Sequence, residues 1–200
     1  MNIAFIISRP SDFELAKRSQ QQMKNHGWDA FILLDRSEWV TLPDGAIFGD
    51  YALPGAKQRG NYAAEGIVAA IIENSIGYDR VLKTDCDVFM TREISDWLAC
   101  GDNAKCFRLD YGRPIAWGGI WSAKREHLIE AQKQLLAMDK CTCAEAFLIL
   151  RSLVKCGKVD VHKTEIVRQY KGGEKNNIAT LPLTATKRKL ELVADIFDTT

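Results

Sequence analysis

Short apolar runs alternate with amphipathic stretches from the first residues of this chain. Residues 2–7 are apolar almost throughout and close on Ser8-Arg9-Pro10, the pattern of a strand buried on both faces. Residues 12–27 place Phe13, Leu15, Ala16 and Met23 on one helical face, with Ser11 or Asp12 to cap the helix and Gly27 to stop it. Residues 28–34 give a second apolar strand that ends at Asp35. Strand, helix, strand in this order predicts a βαβ unit with a parallel, right-handed connection.

Residues 39–58 carry the turn signals Pro43-Asp44-Gly45, Gly49-Asp50 and Pro54-Gly55, which predict short strands or loop. A helix over 61–76 follows. Residues 78–84 then read as a strand that runs directly into Asp85-Cys86-Asp87-Val88-Phe89-Met90, placing both carboxylates at its C-terminal end. Beyond it we expect a short helix over 91–100 closed by Gly101, a strand over 104–109, and a glycine-broken strand over 117–123. Helices over 124–138 and about 142–156 lead to a short strand over 159–162, a Lys171-Gly172-Gly173 turn and a last helix over 186–197. The pattern predicts an α/β domain, Rossmann-like, with a mixed and mostly parallel sheet flanked by helices.

Composition narrows the class. At 200 residues and 22.5 kDa, with 46% hydrophobic and 26% charged residues, the chain suits one globular domain and excludes disordered, collagenous and repeat classes. No apolar run reaches the roughly 18 residues that a membrane helix needs. The N-terminal run lacks a basic flank, so we read it as a strand rather than a signal peptide and expect a cytoplasmic protein. The six cysteines are expected as free thiols; Cys141-x-Cys143 with Cys156 and His162 departs from the usual zinc spacing.

Net charge is +1, but residues 151–189 hold ten Lys/Arg against three Asp/Glu. Such a basic segment suits phosphates of a nucleotide or of nucleic acid, or simply a solvated face.

Ligands of α/β sheets bind beyond the carboxyl ends of strands, which singles out Ser8, Arg9, Asp35, Asp85, Asp87 and His162. Two carboxylates one residue apart at a strand end can share a hard divalent cation, which can bridge the two phosphates of a nucleotide diphosphate. An Asp-x-Asp tripeptide is common by chance in a chain with this many aspartates; its place after a strand, with a Gly-Gly strand downstream, gives it weight.

Taken together, the βαβ opening, Lys57-Gln58-Arg59-Gly60-Asn61 before a helix, Arg80 to Met90 around Asp85-Cys86-Asp87, and Trp117-Gly118-Gly119-Ile120-Trp121-Ser122-Ala123-Lys124-Arg125-Glu126 resemble the GT-A glycosyltransferases, which use nucleotide-sugar donors. The resemblance implies a single domain over residues 1–200, with about 1–110 as the donor-binding half and about 111–200 as the acceptor side. It implies that Asp87 binds Mn2+ or Mg2+, that Asp85 contacts the donor's ribose or the metal through water, and that His162 completes the metal shell. Ser8, Arg9 and Asp35 would hold the nucleoside, Lys57 and Arg59 the diphosphate, and Gly118 and Gly119 would allow close backbone approach. For an inverting reaction Glu145 is the expected base, although the family's second adjacent acid is Ala146 here; Asp110 is the competing acid. Trp117 and Trp121 suit either ring stacking or core packing.

The implied activity is metal-dependent transfer of a sugar from a nucleotide diphosphate to a hydroxyl acceptor, a polyanion such as DNA being one acceptor class compatible with the basic segment. Two alternatives stand beside it. One is a related nucleotidyltransferase, although Ser8-Arg9-Pro10-Ser11-Asp12 lacks the usual glycine-rich loop. The other is a non-catalytic nucleic-acid- or protein-binding module.

Overall fold

The computed structural model describes residues 1–51, 59–110, 114–138, 145–157, 159–162, 166–167 and 178–180, with backbone alone at 59–62, 108–110, 114–118, 145–148, 150 and the last two segments. Its first half follows the βαβ expectation: β1 (Asn2–Ser8), α1 (Phe13–Asn25), β2 (Asp29–Asp35), β3 (Ala46–Gly49), α2 (Arg59–Asn74) and β4 (Arg80–Asp85). The second half comprises β5 (Val88–Met90), α3 (Arg92–Ala99), β6 (Ala104–Asp110), β7 (Pro114–Lys124), α4 (Arg125–Leu136), α5 (Glu145–Cys156), β8 (Val159–His162), β9 (Ile166–Val167) and β10 (Ile178–Thr180).

The main sheet has seven strands in the order β3-β2-β1-β4-β7-β6-β8. Strands β3, β2, β1 and β4 are parallel, β7 opposes both β4 and β6, and β8 runs with β6. One reversed strand in an otherwise parallel sheet is the mixed Rossmann-like architecture that the alternation of elements predicts.

Period-two alternation feeds two cores. Ala4 and Ile6 of β1 face α1 and α3, meeting Leu15, Ala16, Met23, Ile94 and Leu98. Ile3 and Phe5 face the other way, onto Ile67, Val68 and Ile71 of α2, Leu128 and Leu135 of α4, and Ile149 and Leu153 of α5. A strand buried on both faces needs apolar residues at every position, which is why the opening run is unbroken.

Two local features bear on function. The strand expected over 78–84 is β4, which ends at Asp85; the chain then turns, and the apolar Val88-Phe89-Met90 continuation forms β5, which joins a separate three-stranded sheet with β10 and β9. The stretch around Gly118-Gly119 is not interrupted; β7 runs eleven residues, and the glycines sit where its pairing with β6 slips between Cys106 and Phe107. The terminal helix expected over 186–197, like Cys141, Cys143 and Lys57, lies outside the described residues. Cys86, Cys100, Cys106 and Cys156 are free thiols. Among the described residues no helix is long and apolar enough to cross a membrane.

Candidate functional site

From β1 the chain steps outward to β2 and β3, then returns to place β4 on the other side of β1. The crevice beyond the carboxyl ends of β1 and β4 is therefore the topological switch point, where ligands of open α/β sheets bind. Ile7 pairs with Asp85, Ser8 with Leu34 and Asp35 with Gly49, so these strand ends lie along one edge. The Cys86 amide donates to the Ile7 carbonyl at 3.2 Å, binding the turn after β4 to the end of β1.

Asp85 and Asp87 stand on that turn, both half-buried, with Cys86 buried between them. The turn is held on both sides. Ahead of it, β4 is fixed in the middle of the sheet. Behind it, Val88, Phe89 and Met90 are buried in the core, paired with β10, and the Met90 amide donates to Gln22 Oε1 of α1 at 3.3 Å. Antiparallel pairing of Thr84 with Ile120 makes Gly119 the next residue of β7 toward this edge, so Gly118 and Gly119 come level with Asp85. The structure thus gathers Ser8, Arg9, Asp85, Asp87, Gly118 and Gly119 at one crevice.

Ser8 is buried and its hydroxyl donates to the Arg9 carbonyl at 3.1 Å. Arg9 is exposed and leads into a 3-10 turn over Pro10–Asp12. Asp35 ends β2, as expected. It is 1% exposed. Its Oδ1 accepts from the Ser37 amide at 2.9 Å and from the Ser37 hydroxyl, and its Oδ2 accepts from the Tyr51 amide at 2.7 Å. Through these contacts the carboxylate joins the end of β2 to the segment after β3.

Tyr51 completes this brace, its hydroxyl donating to the Leu33 carbonyl at 3.0 Å. Burial, and then the nearby Asp35 carboxylate, hold the Tyr51 phenol far above its ordinary pKa, so it stays neutral. Helix α2 presses on the same segment through Gly66, where a Cβ would stand 2.2 Å from the Asp50 carbonyl oxygen.

The sequence reading also passed over Lys83. Its side chain is 3% exposed, and its Nζ lies 2.5 Å from Asp85 Oδ1. The signal was available: positions two apart on a strand share a face, so Lys83 and Asp85 had to be neighbours.

His162 is not brought to this pair. Strand β8 is three places from β4, and the His162 ring lies edge-on to Trp97 of α3, with ring centres 4.8 Å apart, and beside Phe107. That is the α3 face of the sheet, whereas Lys83 and Asp85 continue the alternation of Val81 toward α2 and α4. Among the described residues no group of three His, Cys, Asp or Glu side chains is arranged to hold a metal ion.

Trp121 is fully buried, and Trp28 donates its indole N–H to Ser95 Oγ at 2.8 Å, so both serve packing. Asp110 ends β6, Glu145 opens α5 and Arg59 opens α2, their side chains outside the described residues. Strand β6 runs with β4, so Asp110 reaches the same edge of the sheet as Asp85.

No protein-family model and no curated protein matches the chain. Solved structures do. A glycosyltransferase involved in the glycosylation of the major capsid of PBCV-1 superposes with a TM-score of 0.60 at 10% identity, covering 96% of this chain and 98% of that one. The inositol-1-phosphate CTP transferase from T. maritima superposes with a TM-score of 0.59 at 11% identity, covering 98% of this chain and 96% of that one. At such identity the likeness is one of fold, the mixed α/β architecture described above.

Proposed function

We propose that the protein is a transferase acting on a nucleotide-linked substrate, and specifically a glycosyltransferase that moves a sugar from a nucleotide diphosphate to a hydroxyl acceptor. The observation that carries this reading is the Asp85-Cys86-Asp87 turn at the switch point, beside Arg9 and the Gly118-Gly119 bulge. The two superposed proteins support it, one being a glycosyltransferase and the other a CTP transferase.

The donor set suits a hard divalent cation: two carboxylates, partly exposed and one residue apart, at the mouth of a crevice. Asp87 would hold Mn2+ or Mg2+, with Asp85 beside it. When bound, such a cation counters the charge that develops on the departing diphosphate. Asp85 is shared with Lys83, which makes Asp87 the stronger ligand. His162, seated against Trp97, has no part in this set as the chain is arranged.

The remaining roles fall to the chain's own groups. Arg9, with Lys57 and Arg59, would pair with phosphate oxygens. Gly118 and Gly119 leave room for the donor against the backbone of β7. Asp110 or Glu145 would take the proton of the acceptor hydroxyl if the reaction inverts. The basic segment over 151–189 suits a polyanionic acceptor such as DNA, whose binding would weaken steeply with added salt.

A second reading, nucleotidyl transfer, is favoured by the nearly equal superposition on the CTP transferase. One experiment addresses both. Thermal midpoints are measured with UDP, GDP, CDP and ADP, and with CTP, each with and without Mn2+, on wild type and Asp87→Ala. A ligand at about 100 times its Kd adds roughly 2.7 kcal/mol, about 5–10 °C for a domain of this size. Metal-dependent stabilisation by a nucleoside diphosphate, lost in Asp87→Ala, is expected. A response to CTP alone favours nucleotidyl transfer, and silence of the folded wild type refutes both readings.

A further inference from the structure

Lys83 occupies an unusual position for a charged side chain. It lies in the middle of β4, at the centre of the main sheet, and its register partners are Phe5 of β1 and Trp121 of β7, both fully buried. An ammonium in such surroundings is costly unless it is paired and hydrogen-bonded. Its partner Asp85 has a side chain 43% exposed, at the mouth of the crevice. The ion pair therefore joins the dry centre of the sheet to the candidate site.

Folding alone does not call for this pair. A methionine would fill nearly the same volume between Phe5 and Trp121, and buried ion pairs replaced by apolar side chains of similar size are often neutral or stabilising. Asp85 itself reaches water, so without the ammonium it would not become a buried, uncompensated carboxylate. The arrangement makes sense for a ligand. Asp85 and Asp87 alone bring two negative charges to the crevice, which attracts a bare cation and repels a diphosphate. A fixed positive charge behind them, shielded from solvent by the sheet and so weakly screened by salt, reverses part of that preference.

We propose that Lys83 is a positioning residue of this site. It fixes the Asp85 carboxylate through Oδ1 and biases the pair toward a nucleotide diphosphate that arrives with its metal, and against metal alone. The proposal rests on the nucleotide-diphosphate reading above and adds to it a determinant of what the two carboxylates accept.

The test is Lys83→Met, with Lys83→Arg as the charge-keeping variant. Isothermal titration measures Mn2+ alone and then UDP, GDP, CDP and ADP in the presence of Mn2+; thermal midpoints are recorded on the same samples. For Lys83→Met the Mn2+ affinity is expected to rise several-fold, while the affinity of the nucleotide that binds wild type falls roughly tenfold, with the midpoint equal to or above wild type. Lys83→Arg is expected to recover most of the nucleotide affinity. A purely structural lysine cannot move the two affinities in opposite directions. Affinities that fall together or stay unchanged, or a Lys83→Met chain that no longer folds, overturn the proposal while leaving the transferase reading intact. A wild type that binds none of the four nucleotides overturns both.

Discussion

Gly66→Ala sets two ordinary effects against each other with opposite signs. In an exposed helix interior, alanine is favoured over glycine by about 1 kcal/mol, because glycine loses more backbone freedom on folding. Here α2 lies so close to the end of β3 that the new Cβ would stand 2.2 Å from the Asp50 carbonyl oxygen and 2.8 Å from Tyr51 Cα. Both obstacles are backbone, so no rotamer change relieves them, and contact at about 3.2 Å requires a shift of about 1 Å. Overpacking of this kind costs roughly 1–3 kcal/mol, and more where backbone must move. The Tyr51 amide is the donor to Asp35 Oδ2, so the shift also strains a buried carboxylate contact, worth about another 1.5–3 kcal/mol if broken. We therefore expect a net loss of about 2–4 kcal/mol, a fall in Tm of roughly 5–12 °C, measured by urea unfolding and by calorimetry. Nucleotide affinity should fall with it, since the crevice edge is braced by the same contact. A Gly66→Ala protein more stable than wild type by about 1 kcal/mol would mean that helix propensity wins, and would refute the close approach of α2 to this edge.

Other outcomes follow from groups whose protonation is tied to burial. Tyr51 has its pKa raised in the fold, so the folded chain keeps a proton that the unfolded chain releases above about pH 10; stability is whole below that pH and declines above it. Tyr51→Phe should flatten the decline seen by urea titration between about pH 9.5 and 11, and an unchanged slope would refute the assignment. Cys106, pushed up to about 11 by burial, acts in the same direction in both proteins and so cancels in the comparison. His26 is shifted the other way, its pKa lowered first by burial and then by the Arg92 guanidinium. Its contribution is present above about pH 6.5 and lost as pH falls below it, so His26→Gln should be less acid-sensitive than wild type between about pH 6.5 and 5.

Much of the framework was legible in the pattern of residues because strand and helix periodicity are local. The runs that became β1, α1, β2, α2 and β4 needed only neighbours three or four apart, or two apart, to declare themselves. Ser8, Arg9, Asp85 and Asp87 could be placed at strand ends by the same logic. The difficulties arose where polar side chains had partners distant in sequence. Asp35 could be placed at the end of a strand, but nothing in the sequence shows that Tyr51, sixteen residues on, donates to it. His162 looked like a ligand because strand order is not written locally, and β8 lies three strands from β4. The strand over 78–84 was legible, but nothing local shows that the apolar Val88-Phe89-Met90 after it pairs with β10 in a second sheet.

The sequence by itself therefore determined the alternation of strands and helices, the apolar sets that make two cores, and the two carboxylates at the end of a strand. These depend on which residues follow one another. Only the tertiary structure decided which strands became neighbours, that a reversed β7 would bring Gly118-Gly119 beside Asp85, and that Lys83 would be enclosed between Phe5 and Trp121. Such relations come from packing between segments distant in the chain. There, the desolvation of one side chain and the charge of another are settled together.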